Sequence, residues 1–246
     1  MPLASSHRRP ADPAVIMAQN REDVVVGTEI VRHNRFSRLI HWTVALFFFL
    51  CVLTGMPIWT PLFGWMAHLF GGLSVCRVLH PWAGVAFFIS SLVMYFAWIT
   101  DMHLTKVERR EWISGGRAMQ YMRWETDDSN VGKYNGGQKL QFWLVLLAAL
   151  GLLLSGLLMW FPRTFPAILM QFAYLIHDIT FILFAVLIVV HIYLGTVAEP
   201  GTFGSMTRGT VTKAWARLHH PLWYREVTGE GPSAAAVPSR PGGRES

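Results

Sequence analysis

Four runs of about twenty apolar residues constrain this chain most, because a lipid bilayer is the solvent that suits side chains of that kind over that length. They are "IHWTVALFFFLCVLTGMPIW" (Ile40–Trp59), "LHPWAGVAFFISSLVMYFAWIT" (Leu79–Thr100), "LQFWLVLLAALGLLLSGLLMWF" (Leu140–Phe161) and Phe172–Ala198. At 1.5 Å rise, ~20 helical residues span a hydrocarbon core of ~30 Å. Together the runs hold one acid, Asp178, and no lysine or arginine. They are continuous rather than alternating, which points to helices and away from a membrane β-barrel. Charged residues make up only 15% of the chain, against about 25% in a soluble domain. The expectation is an all-α, integral membrane four-helix bundle with no soluble globular domain.

A net charge of +6 invites a nucleic-acid reading, and its distribution argues against one. Of 21 Lys and Arg, six precede the first run, seven lie between the second and third, and six follow the fourth. Only Arg77 and Arg163 fall in the other two connections. By the positive-inside rule both termini and the middle loop are cytoplasmic. The surplus marks topology and contact with anionic membrane lipid, with no nucleic acid partner. Cys51 sits mid-span and Cys76 near the far face, so no disulfide joins them. The first 27 residues lack the apolar core of a signal peptide. The chain divides into a tail at 1–30, a transmembrane domain at 31–227 and a tail at 228–246, both tails reading as disordered.

Runs one and three echo each other. Trp42 is followed by Thr54-Gly55 and Trp59, and Trp143 by Ser155-Gly156 and Trp160, at matching offsets. Either a helical hairpin was duplicated, or interfacial Trp and small packing residues recur as they do in any membrane helix.

Four of ten histidines lie in or at the runs: His41, His80, His177 and His191. Ionisable side chains at membrane depth are costly and usually functional. Threaded from the cytoplasm, the chain puts His41 and His191 near the inner face, and His80 and His177 near the outer. The 14-residue spacing within the fourth run advances ~21 Å and keeps both imidazoles within ~40° of one face. That suits two haems stacked across the membrane. Each takes two axial histidines and has no open site for oxygen chemistry.

Gly84 and Gly195 follow His80 and His191 by one turn, where a missing side chain lets a flat macrocycle approach. Ordinary packing explains either glycine alone. Arg38 and Arg77 precede His41 and His80 by three residues, within reach of a haem propionate, and Arg38 also fits a positive-inside anchor. Zinc or di-iron would need three or four ligands at one depth, with carboxylates, which the runs lack. Asp178 points about 100° away from His177 and reads as an outer-surface or interfacial carboxylate. His7, His33, His68, His103, His219 and His220 read as solvent or interface residues, with His33 and His103 as further candidates for proton uptake.

The segments "RFSRLIHWTVALFFFLCVLTG", "RVLHPWAGVAFF", "VGKYNGGQKLQFW", "LIHDITFILFAVLIVVHIYLG" and "WARLHHPLWYREV" resemble the gamma, or cytochrome b, subunit of membrane-bound respiratory formate dehydrogenase. The resemblance runs in order over roughly Val31–Val227, with "GKYNGGQK" as its most specific element. It implies a bacterial inner-membrane protein with two haem b, one on His80 and His177 and one on His41 and His191. It also implies a quinone site near the inner haem, with Asn135 and Gly137 as contacts and Tyr134, Gln138 and Lys139 behind them. Without the resemblance that loop reads as a turn into a helix. The implied partners are a pterin-containing alpha subunit that oxidises formate outside and an iron–sulfur beta subunit that feeds the outer haem. Menaquinone or ubiquinone accepts the electrons at the cytoplasmic side, where protons are taken up. The chain itself makes no covalent catalysis. Asp178 stands where the resemblance implies a small residue.

Three rivals remain at this level. A nickel–iron hydrogenase or thiosulfate-type reductase has a cytochrome b subunit of similar plan. A His-relay proton or metal transporter needs polar residues between the histidines, and the runs offer little beyond Thr180, Ser155 and Ser90–Ser91. A haem-free anchor has no use for four depth-matched histidines.

Overall fold

The computed structural model describes residues 20–113 and 131–230. The expected tails at 1–19 and 231–246 lie outside the described residues. In chain order the elements are strands β1 (Val24–Val26) and β2 (Glu29–Val31), helix α1 (Arg35–Trp59), a 3-10 helix (Pro61–Phe70) and α2 (Leu73–Trp98). Next come α3 (Lys106–Ile113), α4 (Gly136–Trp160), α5 (Ala167–Tyr193), a π-helical turn (Leu194–Ala198), α6 (Thr202–Thr207), β3 (Thr210–Thr212), α7 (Lys213–His219) and α8 (Pro221–Thr228). Among the described residues four helices, α1, α2, α4 and α5 with its π turn, are long and apolar enough to cross a membrane.

Each of these four begins several residues before its apolar run, and polar side chains cap the starts of α1 and α4. Asn34 Oδ1 accepts from Ser37 N at 2.8 Å and opens α1. Asn135 and Gln138 form a reciprocal capping box at 2.9 and 3.1 Å and open α4. Gly71 and Gly72, at φ 87° and 120°, make the corner before α2.

Helices successive in the membrane pack closely: α1 with α2, α2 with α4, α4 with α5. Their shared core includes Val44, Phe48, Phe87, Phe142, Ala149 and Phe184. Leu46, Leu147, Leu183 and Val189, between 61% and 67% exposed, form part of an apolar outer surface. Against lipid such side chains gain nothing by turning inward, so close packing and interhelical polar contacts hold the bundle.

One end of the bundle carries a small cap. β1, β2 and β3 form an antiparallel sheet, with Val24 opposite Val31 and Ile30 opposite Val211. Ile30, Val211, Trp215, Ala216, Trp223 and Tyr224 make its core. Residues 24–26 and 29–30 of the tail expected at 1–30 therefore belong to this sheet. The turn at Gly27 (φ 58°) closes a two-residue hairpin, and Glu22 anchors it by accepting from Lys133 Nζ at 2.7 Å.

Candidate functional site

His80 on α2 faces His177 on α5 with ring centres 6.2 Å apart. His41 on α1 faces His191 on α5 with ring centres 6.1 Å apart. An imidazole nitrogen bonds a first-row metal at roughly 2 Å, so two rings gripping one atom from opposite sides have centres roughly 6 Å apart. Both couples meet that requirement. Among the described residues, no three or more His, Cys, Asp or Glu converge as a metal-ligand group.

A layer of phenylalanines divides the two couples. Phe184 lies seven residues from both His177 and His191, while Phe48 and Phe87 lie seven after His41 and His80. Seven residues is about two turns, which returns each ring to its histidine's face. The Phe48 and Phe184 rings are 5.1 Å apart, Phe87 and Phe184 5.9 Å, Phe48 and Phe87 6.1 Å.

The His80–His177 couple opens on a cavity of about 650 Å³ lined by both histidines with Gly55, Gly84, Gly156 and Arg77, within the roughly 300–1,000 Å³ of cofactor sites. His80 Nδ1 lies 3.1 Å from the Cys51 carbonyl and 3.3 Å from Thr54 Oγ1. A carbonyl only accepts, so Nδ1 carries the hydrogen and Nε2 keeps its lone pair. His177 Nδ1 meets Ser155 Oγ at 2.9 Å, with the Leu152 carbonyl also in reach. An Nδ1–H held by a carbonyl or hydroxyl behind a free Nε2 is the usual arrangement of a metal-ligating histidine.

The glycines differ in what surrounds them. A Cβ on Gly55 would stand 2.8 Å from His80 Cε1, so the imidazole lies directly on the bare helix. At Gly84 and Gly195 a Cβ would meet no protein atom within 4 Å. These openings beside His80 and His191 fit a flat macrocycle.

At the other couple, His41 Nδ1 is buried without a hydrogen-bond partner. Arg38 donates to the Thr207 carbonyl at 2.8 Å and Trp42 Nε1 to the Met206 carbonyl at 3.0 Å, which ties α1 to α6. Arg38 Nε is buried and unpartnered. Arg77 is exposed at the cavity lining. Asp178 lines the same cavity and accepts from Trp59 Nε1 at 3.2 Å, a partner the sequence did not indicate.

Asn135 sits at the cap of α4, and its side-chain oxygen is committed there; its amide nitrogen is the remaining donor. Gly137 is half-buried in the first turn. Lys139 Nζ donates to Glu108 at 2.9 Å. Tyr134 is buried, its hydroxyl has no partner, and burial pushes its phenol well above the ordinary range.

The loop "GKYNGGQK" is clamped from the cap. His220 Nδ1 donates to the Gly132 carbonyl at 2.7 Å, and Arg32 donates to the Lys133 carbonyl at 2.7 Å. The Arg32 guanidinium also lies 4.9 Å from the Trp215 ring centre. Burial draws Arg32 down to about 10, leaving it charged at neutral pH. Burial, with the Arg32 charge, draws His220 down to about 2 and His33 well below its ordinary value, so both are neutral. The expectation that His33 and His220 are solvent or interface residues is thus corrected: they are 2% and 1% exposed. The cap was invisible in sequence because it joins short segments about 180 residues apart. The one available signal was the aromatic density of "WARLHHPLWY".

Sequence comparison places these features among known proteins. The family described as "Prokaryotic cytochrome b561" matches residues 32–209. The "Formate dehydrogenase, cytochrome b556(fdo) subunit" of Escherichia coli (strain K12) is 34% identical over 201 residues, covering 80% of this chain and 93% of the relative. The "Formate dehydrogenase, nitrate-inducible, cytochrome b556(Fdn) subunit" of the same strain is 32% identical over 204 residues, covering 80% and 91%. The "Formate dehydrogenase, cytochrome b556 subunit" of Haemophilus influenzae is 31% identical over 203 residues, covering 81% and 84%.

Proposed function

The chain belongs to the prokaryotic cytochrome b561 family, and from that premise we propose how it works as the cytochrome b subunit of a formate dehydrogenase that carries electrons across the membrane. Haem b is the cofactor the family implies. We propose two: one held by His80 and His177, the other by His41 and His191. The observation that carries this reading is the pair of imidazole couples sharing α5, with ring centres 6.2 and 6.1 Å apart.

When bound, haem supplies a one-electron couple at each site. The chain's residues do the rest. His80 and His177 present Nε2 lone pairs because Cys51, Thr54 and Ser155 hold the Nδ1 hydrogens. The Phe48–Phe87–Phe184 layer keeps the space between the couples dry. Arg77, in the cavity lining, would pair with a propionate of the His80–His177 haem, and Arg38 with one of the other. Asn135, through its amide nitrogen, and Gly137, through its backbone, hold a quinone (menaquinone or ubiquinone) beside the His41–His191 site.

The chain is multi-pass in the bacterial inner membrane and takes part in a multisubunit formate dehydrogenase complex. The excess of Lys and Arg at the cap end supports placing both termini in the cytoplasm. We take the working unit as 31–227 joined by the β1–β2 hairpin. An iron–sulfur subunit and a pterin subunit are the proposed partners on the far side, delivering electrons to the His80–His177 haem. Adding formate to membranes that hold the complex tests this: the b-haem bands are expected to reduce, and added quinone to reoxidise them. Bands that stay oxidised with formate yet reduce under hydrogen would assign the chain to a hydrogenase.

A further inference from the structure

We propose that the hydroxyls of Thr54 and Ser155 set the redox poise of the His80–His177 site, holding it at a lower midpoint potential than the His41–His191 site. This rests on the haem ligation proposed above and concerns the side chains behind the ligands. Thr54 and Ser155 are positioning residues that act through the imidazoles.

Each hydroxyl has one hydrogen and two lone pairs. Thr54 Oγ1 gives its hydrogen to the Leu50 carbonyl at 2.6 Å, and Ser155 Oγ gives its hydrogen to the Gly151 carbonyl at 2.7 Å. Both oxygens are left as acceptors facing an imidazole Nδ1, at 3.3 Å from His80 and 2.9 Å from His177. Thr54 is 0% exposed and Ser155 4%, and in such dry surroundings a hydrogen bond is electrostatically strong.

The two halves correspond residue by residue along α1 and α4. Leu50, Cys51, Thr54 and Gly55 on α1 match Gly151, Leu152, Ser155 and Gly156 on α4, and the members of each pair make the same kind of contact. The echo between the first and third apolar runs is therefore an echo of imidazole contacts. It does not extend to the other couple. His41 Nδ1 has no hydrogen-bond partner, and the α4 position that corresponds to His41 is Phe142.

An acceptor behind Nδ1–H draws that hydrogen outward and makes Nε2 a more basic donor. A more basic axial donor favours the ferric over the ferrous state, and hydrogen bonding behind the ligand is one of the protein's levers on potential. The proposal adds no bond-making step. With haem held at both couples, the exchange would be of one electron alone, and the hydroxyls would bias it toward the His41–His191 site. Ser155 exerts the larger effect, because its contact is the shorter one, 2.9 Å against 3.3 Å.

The test is an optical redox titration of the purified complex carrying Ser155→Ala or Thr54→Val, with Ser155→Thr and Thr54→Ser as variants that keep the hydroxyl. Ser155→Ala is expected to shift the exchange equilibrium about tenfold toward the His80–His177 haem, equal to a rise of about 59 mV in its midpoint. Thr54→Val shifts it less, the other haem is unmoved, and the hydroxyl-keeping variants match wild type. Unmoved midpoints in Ser155→Ala and Thr54→Val, or equal shifts in the variants that keep the hydroxyl, would overturn the proposal. If Ser155→Ala loses the haem, its return at the wild-type midpoint in Ser155→Thr supports the hydroxyl, and continued loss counts against it. Fewer than two haems in the wild-type complex would overturn the ligation itself, a failure distinct from an unmoved midpoint.

Discussion

Gly55→Ala and Gly156→Ala are nearly the same change at corresponding positions, and the structure expects opposite results. At Gly55 the new Cβ would stand 2.8 Å from His80 Cε1, where ordinary contact begins near 3.4 Å. The imidazole must retreat by roughly 0.6 Å, beyond the ~0.5 Å within which a binding constellation stays productive. Retreat from α1 also stretches the Nδ1 contacts to Cys51 and Thr54, now 3.1 and 3.3 Å, past the range of a useful hydrogen bond. At Gly156 the corresponding Cβ would lie 3.5 Å from His177 Cε1, an ordinary contact. Gly55→Ala should weaken haem retention at the His80–His177 site by about 10–100-fold, leaving one haem per chain after purification, while Gly156→Ala keeps two. Haem counted per chain by its alkaline pyridine spectrum, beside low-temperature electron paramagnetic resonance, reads the outcome. Two haems with native signals in Gly55→Ala, or equal losses in both variants, would refute the geometry.

Gly84→Ala adds a methyl that meets no protein atom within 4 Å, so specific loss of the same haem with unchanged folding would mean that the macrocycle itself lies over Gly84; full retention would place it elsewhere. Arg32→Ala removes a charged hydrogen bond to the Lys133 carbonyl and a guanidinium held among aromatic rings, about 3 kcal/mol together. It should expose the 132–139 loop to protease and slow quinone reduction with both haems kept, and a protease pattern like wild type would count against the clamp. Acid should open the cap as well. His220 has a folded-state value of about 2 against 6.5 when free, so its contribution is full above pH 6.5 and declines as pH falls below, by about 2 kcal/mol at pH 5. Buried His33 acts in the same direction. His220→Gln, which keeps a donor for the Gly132 carbonyl, should flatten that part of the pH profile of proteolysis; an unchanged profile would exclude His220 as the titrating group.

What was legible in the sequence follows from which forces act locally. Lipid selects continuous apolar length, so the four membrane helices show directly. The 3.6-residue period carries His177 and His191 to one face, so the couples show as well. The Phe layer obeys the same arithmetic, since Phe48, Phe87 and Phe184 sit seven residues from their histidines, but phenylalanine is too common in such runs to stand out. The starts of α1 and α4 lie outside the apolar pattern, because Asn34 and Asn135 cap them from polar sequence. The cap could not be seen because Arg32, Lys133 and His220 meet only in three dimensions, and each looks like a solvated charge or loop residue alone. Thr54 and Ser155 were visible as an echo, yet their meaning needed the distances to His80 and His177.

The central claim is that two irons are each gripped by one imidazole couple. Haem content and reduced-minus-oxidised spectra of His41→Ala, His191→Ala, His80→Ala and His177→Ala test it most directly. The wild-type chain should show two low-spin b haems, with His80→Ala and His177→Ala erasing the same one and His41→Ala and His191→Ala erasing the other. A folded, colourless wild-type chain, or a couple whose two variants erase different haems, would contradict the account.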